Sequence, residues 1–150
     1  MLLLLLALLG AQTPRKQPSL ASPPNEALLV TGTFSDLQYN EEGDDLVGTE
    51  IRIVVAKNGY QATIQFAEGE PSDLIVVPVH FGFESMRIGG VQKSSKHEVE
   101  KVRFDIPEGS EHAGSFEGVV TRKFLSGTFH FGPGGKFHVK LPRRRSYWER

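Results

Sequence analysis

The chain has 150 residues, no cysteine and a formal net charge of -1, from 17 basic and 18 acidic residues. This length suits one domain with a core of its own. The absence of cysteine excludes disulfides, thiolate catalysis and cysteine-ligated metals, and the balanced charge excludes a field of one sign that would draw in nucleic acid or anionic lipid. The 16 glycines and 10 phenylalanines favour turns and alternating strands over helices.

The N-terminus is almost pure leucine over residues 1–9, followed by Gly10 and Ala11. Such a run matches the apolar core of a secretory signal peptide and falls short of the ~20 residues that a spanning helix needs, although no basic residue precedes it. Four prolines follow between residues 12 and 27 and predict a flexible linker. We therefore predict a signal peptide at 1–11, a linker at 12–27, a folded domain at 28–150, no transmembrane span, and a secreted or periplasmic location.

The folded part begins with a predicted strand at residues 28–36, in which Val30 and Phe34 share one face. An acidic turn at residues 40–45 follows. Its carboxylates could bind calcium through oxygen ligands, but they lack the spacing of a known calcium loop. We interpret this segment as a solvated turn.

Asn58-Gly59 sets the register of the next two predicted strands, 46–57 and 60–68, because Asn-Gly favours a two-residue type I′ turn. That register gives three apolar cross-strand pairs: Val55 with Ala62, Ile53 with Ile64, and Ile51 with Phe66. The alternate positions are mostly polar. One face of this hairpin is therefore predicted to be buried.

Residues 74–81 are apolar on both faces except at Pro78 and His80. Because proline has no N–H to donate, this strand is predicted to lie at a sheet edge or to carry a bulge at Pro78. Residues 82–98 show no strand pattern, and we predict a long mobile loop there.

The last strands follow a strand at 99–106 and can be paired by counting. Folding residues 116–120 onto 125–129 about Arg122-Lys123 gives three inward pairs: Val120 with Leu125, Gly118 with Gly127, and Phe116 with Phe129. A second bend at 132–136 gives two more pairs: Phe131 with Phe137, and Phe129 with Val139. Both hairpins bury the same face of Phe129, and this agreement supports the assignment.

The pattern amounts to eight strands joined mostly by short turns, with no convincing helix period outside the leader. We predict an all-β fold, a single antiparallel eight-stranded up-and-down barrel, because closure removes exposed sheet edges. A two-sheet β-sandwich is the alternative. The residues predicted to face inward are Ile51, Ile53, Val55, Ile64, Phe66, Val77, Val79, Phe81, Phe104, Phe116, Phe129, Phe131 and Val139.

Two short motifs, Gly32-Thr33-Phe34 and Gly127-Thr128-Phe129, resemble the Gly-x-aromatic strand motifs of the calycins, meaning lipocalins and avidin-like proteins. The chain is also similar to small exported bacterial proteins of unassigned function, through the Gly-x-Phe-x-Gly-x-Val element at 114–120 and the Arg-x-x-Ser-Tyr-Trp ending at 143–148. The calycin likeness implies a ligand cup. It brings no ligand with it, since the polar residues that hold biotin have no counterparts here and Phe34 stands where lipocalins have tryptophan.

The interior supports two readings. Gly118 opposite Gly127 would leave space on one wall for a small apolar molecule, and no inward polar group is present to orient a polar one. The predicted ligand-binding residues are Phe66, Phe116, Gly118, Gly127, Phe129 and Phe131. Alternatively the same side chains fill the barrel and need no ligand.

The C-terminal tail is the one localised charge feature, and its predicted partner-binding residues are Arg143, Arg144, Arg145, Tyr147 and Trp148. Three arginines beside two aromatic residues suit an anionic lipid headgroup or a glycan of the cell envelope. In the alternative reading Tyr147 and Trp148 fold back to plug one barrel end. Export argues against nucleic acid as a partner.

No catalytic residue is predicted, because the chain has no nucleophile elbow, zinc-protease motif or phosphate-binding glycine loop. His130 and His138 would lie opposite each other on the outward face, but two ligands make a weak metal site. We therefore predict no metal and no cofactor. The chain is interpreted as an exported, non-enzymatic binding protein, either a carrier of a small apolar ligand or a solid-core interaction protein of the envelope.

Overall fold

The computed structural model describes residues 29–82 and 99–149. The predicted signal peptide, the linker and all but the first residue of the predicted loop at 82–98 lie outside the described residues. The strands are β1 Gly32–Ser35, β2 Gln38–Asn40, β3 Asp45–Ala56, β4 Gly59–Gly69, β5 Ile75–Gly82, β6 Val99–Ile106, β7 Gly114–Thr121, β8 Phe124–Phe131 and β9 Gly135–Pro142, followed by a short 3-10 helix, Tyr147–Glu149.

The strands form a nearly closed antiparallel barrel in up-and-down order, β1-β3-β4-β5-β6-β7-β8-β9. Both β1 and β2 pair with β3 along the same edge: β1 pairs with residues 50–53 and β2 with residues 45–47. Together they occupy one of the eight positions around the barrel. The predicted fold class is confirmed. In this order the described connections β2–β3, β4–β5, β6–β7 and β8–β9 share one end of the barrel, and β3–β4 and β7–β8 share the other.

Two seams interrupt the barrel wall. Among the described residues, the β5–β6 ladder covers three pairs, from His80–Arg103 to Gly82–Lys101, and it stops two residues short of Pro78. Pro78 has a ladder partner only on the β4 side, at Gln61, as expected for a residue without an N–H. The second seam joins β1 to the end of β9 through a single bridge, Phe34–Arg143.

The predicted inward residues form the core, with Phe104, Phe116 and Phe129 fully buried. Phe81 and Phe131 are half-buried against it. Val55 is the exception, being 59% exposed. A second, smaller cluster of Leu37, Leu46 and Ala67 lies on the outer face of the sheet, since these residues alternate with core positions.

The β3–β4 hairpin has a different register from the predicted one. Ala56 pairs with Gly59, which shifts the ladder by two residues and pairs Val55 with Tyr60, Ile53 with Ala62, and Ile51 with Ile64. The bend lies at Lys57 and Asn58, and only Gly59 has a positive φ, at 117°. One left-handed position is enough for this loop, and glycine takes it without steric cost. The predicted type I′ turn was therefore wrong, but a shift of two keeps every side chain on its face.

The β7–β8 register is as predicted, including Gly118 opposite Gly127. Neither Arg122 nor Lys123 favours the positive φ that tight hairpin turns commonly need. Thr121 stabilises the bend instead, because its hydroxyl accepts hydrogen bonds from the N–H groups of Lys123 at 3.2 Å and Phe124 at 3.0 Å. This local side-chain acceptor holds a tight bend without left-handed residues.

The β8–β9 register was predicted wrongly by two residues. Phe131 pairs with Gly135 rather than Phe137, and Phe129 pairs with Phe137. The bend is shorter than predicted because Gly132 and Gly134 take positive φ values of 43° and 85°. As a result, His130 lies opposite Lys136 and His138 opposite Thr128, so the predicted pair of opposed histidines does not form.

Candidate functional site

The predicted ligand-binding residues come together inside the barrel as a phenylalanine cluster. The ring of Phe129 lies 4.8 Å from Phe116, 5.1 Å from Phe66 and 5.4 Å from Phe131, measured between centroids. Phe104 stacks on Phe116 at 4.8 Å. Period-two strands place all of these rings on the inner face, where edge and offset contacts stabilise them.

The space beside the paired glycines is occupied. A Cβ atom added to Gly118 would lie 2.8 Å from Cζ of Phe116, and the same ring covers Gly127. The glycines therefore let Phe116 lean across the β7–β8 ladder. This arrangement favours a filled interior over an open cup at this wall.

The end of the barrel near Phe66 is covered by His112, from the β6–β7 connection. The imidazole ring lies 4.3 Å from the ring of Phe66 and 5.9 Å from that of Phe131. Near the other end, Tyr60 and Phe81 meet edge to face at 4.9 Å.

An open depression of about 570 Å³ lies where β5, β6 and β7 meet. Gly118 is the one predicted ligand-binding residue that lines it, beside the apolar Phe81 and Val102. The lining also includes Arg103 and Glu117, which form an exposed ion pair at 3.6 Å. Charged and apolar groups thus share this surface.

Arg143, a predicted partner-binding residue, is turned inward to close the barrel. Its guanidinium donates to the carbonyls of Leu29 and Thr31, and to that of Thr121 at 3.2 Å. It also lies 4.5 Å from the ring centroid of Phe34. Burial lowers the pKa of Arg143 from its usual value, but three acceptors keep the cation bonded.

The tail after Arg143 crosses to the outer face of β3 and β4. The N–H of Arg144 donates to Thr33 at 3.1 Å and its guanidinium donates to Leu37 at 2.7 Å. Glu50, outward on β3 but buried, accepts from Ser146 Oγ at 2.6 Å and from the N–H of Tyr147 at 2.9 Å. Tyr147 then packs against the outer apolar cluster. The aromatic residues therefore lie along the barrel wall rather than in one barrel end.

Trp148 and Arg145 remain at the surface. Trp148 is 54% exposed, yet it is held by its N–H to Ser146 Oγ at 3.3 Å and by its indole Nε1 to Gln65 Oε1 at 2.8 Å. Leu74, directly before the adjoining strand β5, and Val76, on that strand, are also exposed. This side of the barrel thus presents a fixed aromatic residue beside aliphatic ones.

In the described part of the chain, no three histidine or acidic side chains are placed to hold a metal ion. His138 Nδ1 lies 2.7 Å from Thr128 Oγ1 instead. In the acidic turn, the hydroxyl of Tyr39 donates to Asp44, which, with desolvation and the nearby Asp45, raises the pKa of Tyr39.

The sequence interpretation missed Glu50 and Gln65 as anchors of the tail. Both occupy outward positions on strands, where the alternating pattern predicts solvent exposure. Their partners lie more than eighty residues away in sequence, so no local signal identifies them.

No protein family, curated protein or solved structure matches this chain. Among residues 29–82 and 99–149, none of the helices has the length and apolar character needed to cross a membrane.

Proposed function

We propose that this chain is an exported, non-catalytic interaction protein whose solid barrel holds a C-terminal contact surface toward an anionic component of the cell envelope. The leucine-rich N-terminus supports export. The Gly-x-aromatic motif of the first strand supports a calycin-like barrel of the small exported bacterial kind.

The observation that carries this proposal is the filled interior. Phe116 occupies the space beside the two paired glycines, and the rings of Phe66, Phe129 and Phe131 pack on one another. A core of this kind is stable without a ligand. The binding surface of the protein is then its exterior.

The tail supplies that surface. Trp148 is exposed but already ordered by hydrogen bonds to Ser146 and Gln65, and a pre-ordered aromatic residue loses little entropy when a partner covers it. Arg145, three residues before Trp148 in the chain, is also exposed. An exposed cation and an exposed indole on one short tail suit an anionic headgroup or a sulfated or acidic glycan.

The emission of Trp148, the only tryptophan in the chain, tests this surface directly. We expect phosphatidylglycerol vesicles to shift the emission to the blue in a saturable, salt-sensitive way, and phosphatidylcholine vesicles to leave it unchanged. Arg145→Glu should weaken the effect, while Arg122→Glu, an exposed arginine on the β7–β8 turn, is the matched control. If neither phosphatidylglycerol vesicles nor an acidic glycan shifts the emission of Trp148, the proposal is refuted.

The depression at β5–β7 favours a second function, carriage of a small apolar molecule. Its apolar lining includes Phe81, Val102 and Val119. For a carrier, we expect saturable uptake of a fluorescent fatty-acid probe that Val119→Trp abolishes and Val54→Trp, on the outer face of β3, leaves intact. Absence of uptake at high probe concentration rejects this function.

A further inference from the structure

The strand β9 has one paired edge and one open edge. Its residues Gly135–Pro142 pair with β8 along their whole length. On the opposite side, the backbone pairing with β1 among the described residues consists of the bridge at Arg143 and the hydrogen bond from the N–H of Arg144 to the carbonyl of Thr33. No other described residue forms a ladder with this side of β9. The barrel wall is therefore open along the part of β9 that precedes Arg143.

Backbone groups at alternate positions of β9 face the opening. The N–H of Arg143 bonds to Lys123 of the β8 side at 2.7 Å, whereas that of Arg144 bonds to β1. Because hydrogen-bonded pairs alternate along an antiparallel ladder, the N–H and C=O groups of Lys136, His138 and Lys140 point away from β8. They form a row that can receive another strand.

The side chains along the same edge define what such a strand must carry. Lys136, His138 and Lys140 alternate with core positions, so they lie on the outer face, and all three are exposed. On the inner face, Phe137 pairs with the fully buried Phe129 yet is itself 46% exposed. The opening therefore presents basic groups outward and an uncovered phenylalanine inward.

A second copy of the chain fits this edge poorly. Antiparallel pairing of two β9 strands about His138 would set Lys136 of each against Lys140 of the other, and like charges directly opposed destabilise a sheet. Lysines on an edge strand commonly protect against such self-pairing.

We propose that the open edge of β9 binds an extended segment of a partner protein in which acidic and apolar residues alternate. The added strand bonds to the backbone of Lys136, His138 and Lys140, its carboxylates meet the two lysines, and its apolar residues cover Phe137. This surface is separate from the tail, so the present inference and the vesicle contact of Trp148 can fail independently.

The test is fluorescence anisotropy with a labelled eight-residue peptide of alternating glutamate and valine, matched to the length of β9. We expect saturable binding to the full chain. A peptide with lysine in place of glutamate should bind at least about tenfold more weakly, because two cross-strand charge pairs change sign. A peptide of the same composition with the glutamates grouped together should also bind weakly, because it lacks the period of two.

Two pairs of variants separate charge from backbone. Lys136→Glu with Lys140→Glu should reverse the preference to the lysine peptide. His138→Pro removes an N–H that faces the opening, whereas His138→Ala keeps it, and both lose the contact with Thr128. We expect binding to vanish only in the proline variant, with unchanged melting temperature relative to the alanine variant.

Three results would overturn this inference: no binding of the alternating peptide, equal binding by the proline and alanine variants, or a dimer of the wild-type chain in sedimentation that His138→Pro dissociates. The last result would assign the edge to a second copy. Retained peptide binding without any vesicle effect would overturn only the tail contact.

Discussion

Arg143 joins the last strand to the first by bonding a cation to backbone carbonyls. It donates to three carbonyls and lies over the ring of Phe34. Gly32 makes room for the guanidinium, since any Cβ there would collide with Nη1 of Arg143, and its φ of 138° also disfavours other residues. The Gly32-Thr33-Phe34 motif thus has a physical role, with glycine providing space and phenylalanine providing a ring.

We expect Arg143→Ala to lower the free energy of unfolding by about 3 kcal/mol, because three carbonyls lose a charged donor and Phe34 loses its cover. The exposed Arg145 provides the control, and Arg145→Ala should change the free energy of unfolding by less than about 0.5 kcal/mol. Urea denaturation measures both. Equal effects of the two substitutions would mean that the seam does not depend on Arg143.

At the scale of elements, the tail acts as a strap across β1, β3 and β4. Its buried anchor is Glu50, which binds Ser146 and Tyr147. Its exposed anchor is the pair of Arg52 with Glu149 at 3.5 Å, in which both side chains are 54% exposed. The buried anchor should dominate because water screens the exposed one.

This difference predicts the behaviour of two variants. Glu50→Ala should detach the tail, increase acrylamide quenching of Trp148 and destabilise the fold by about 2 kcal/mol, because two donors lose a charged acceptor. Arg52→Ala should change stability by less than about 1 kcal/mol and leave quenching as it is. An equal rise in quenching in both variants would contradict the dominance of the buried anchor.

Strand existence and face were predictable from the sequence, whereas register was predicted correctly for the β7–β8 hairpin but not for the β3–β4 and β8–β9 hairpins. The predicted faces of Ile53, Ile64 and Phe129 were correct, because both ladders slipped by two and side-chain direction repeats every two residues. Register itself depended on which turn residues took positive φ. In both wrongly registered hairpins glycine took these positions, and the bend moved with it.

At the scale of the whole molecule, the described connections at the two ends of the barrel carry exposed charges of opposite sign. The connections β2–β3, β4–β5 and β6–β7 share one end of the barrel and carry exposed acidic residues, including Glu41, Glu70 and Glu108. The described bends at the other end, β3–β4 and β7–β8, carry Lys57, Arg122 and Lys123. Such a separation orients a molecule in the field of a charged surface even when net charge is small.

The sequence by itself determined the all-β class, the inward faces and the position of most bends, because these follow from period-two alternation and from glycine and proline, which act locally. Only the tertiary structure decided that Phe116 fills the space beside two glycines, that Arg143 is bonded inward and that β9 has an open edge. The first depends on how side chains pack across the β7–β8 ladder. The other two depend on how closely the first and last strands approach each other when the barrel wall forms.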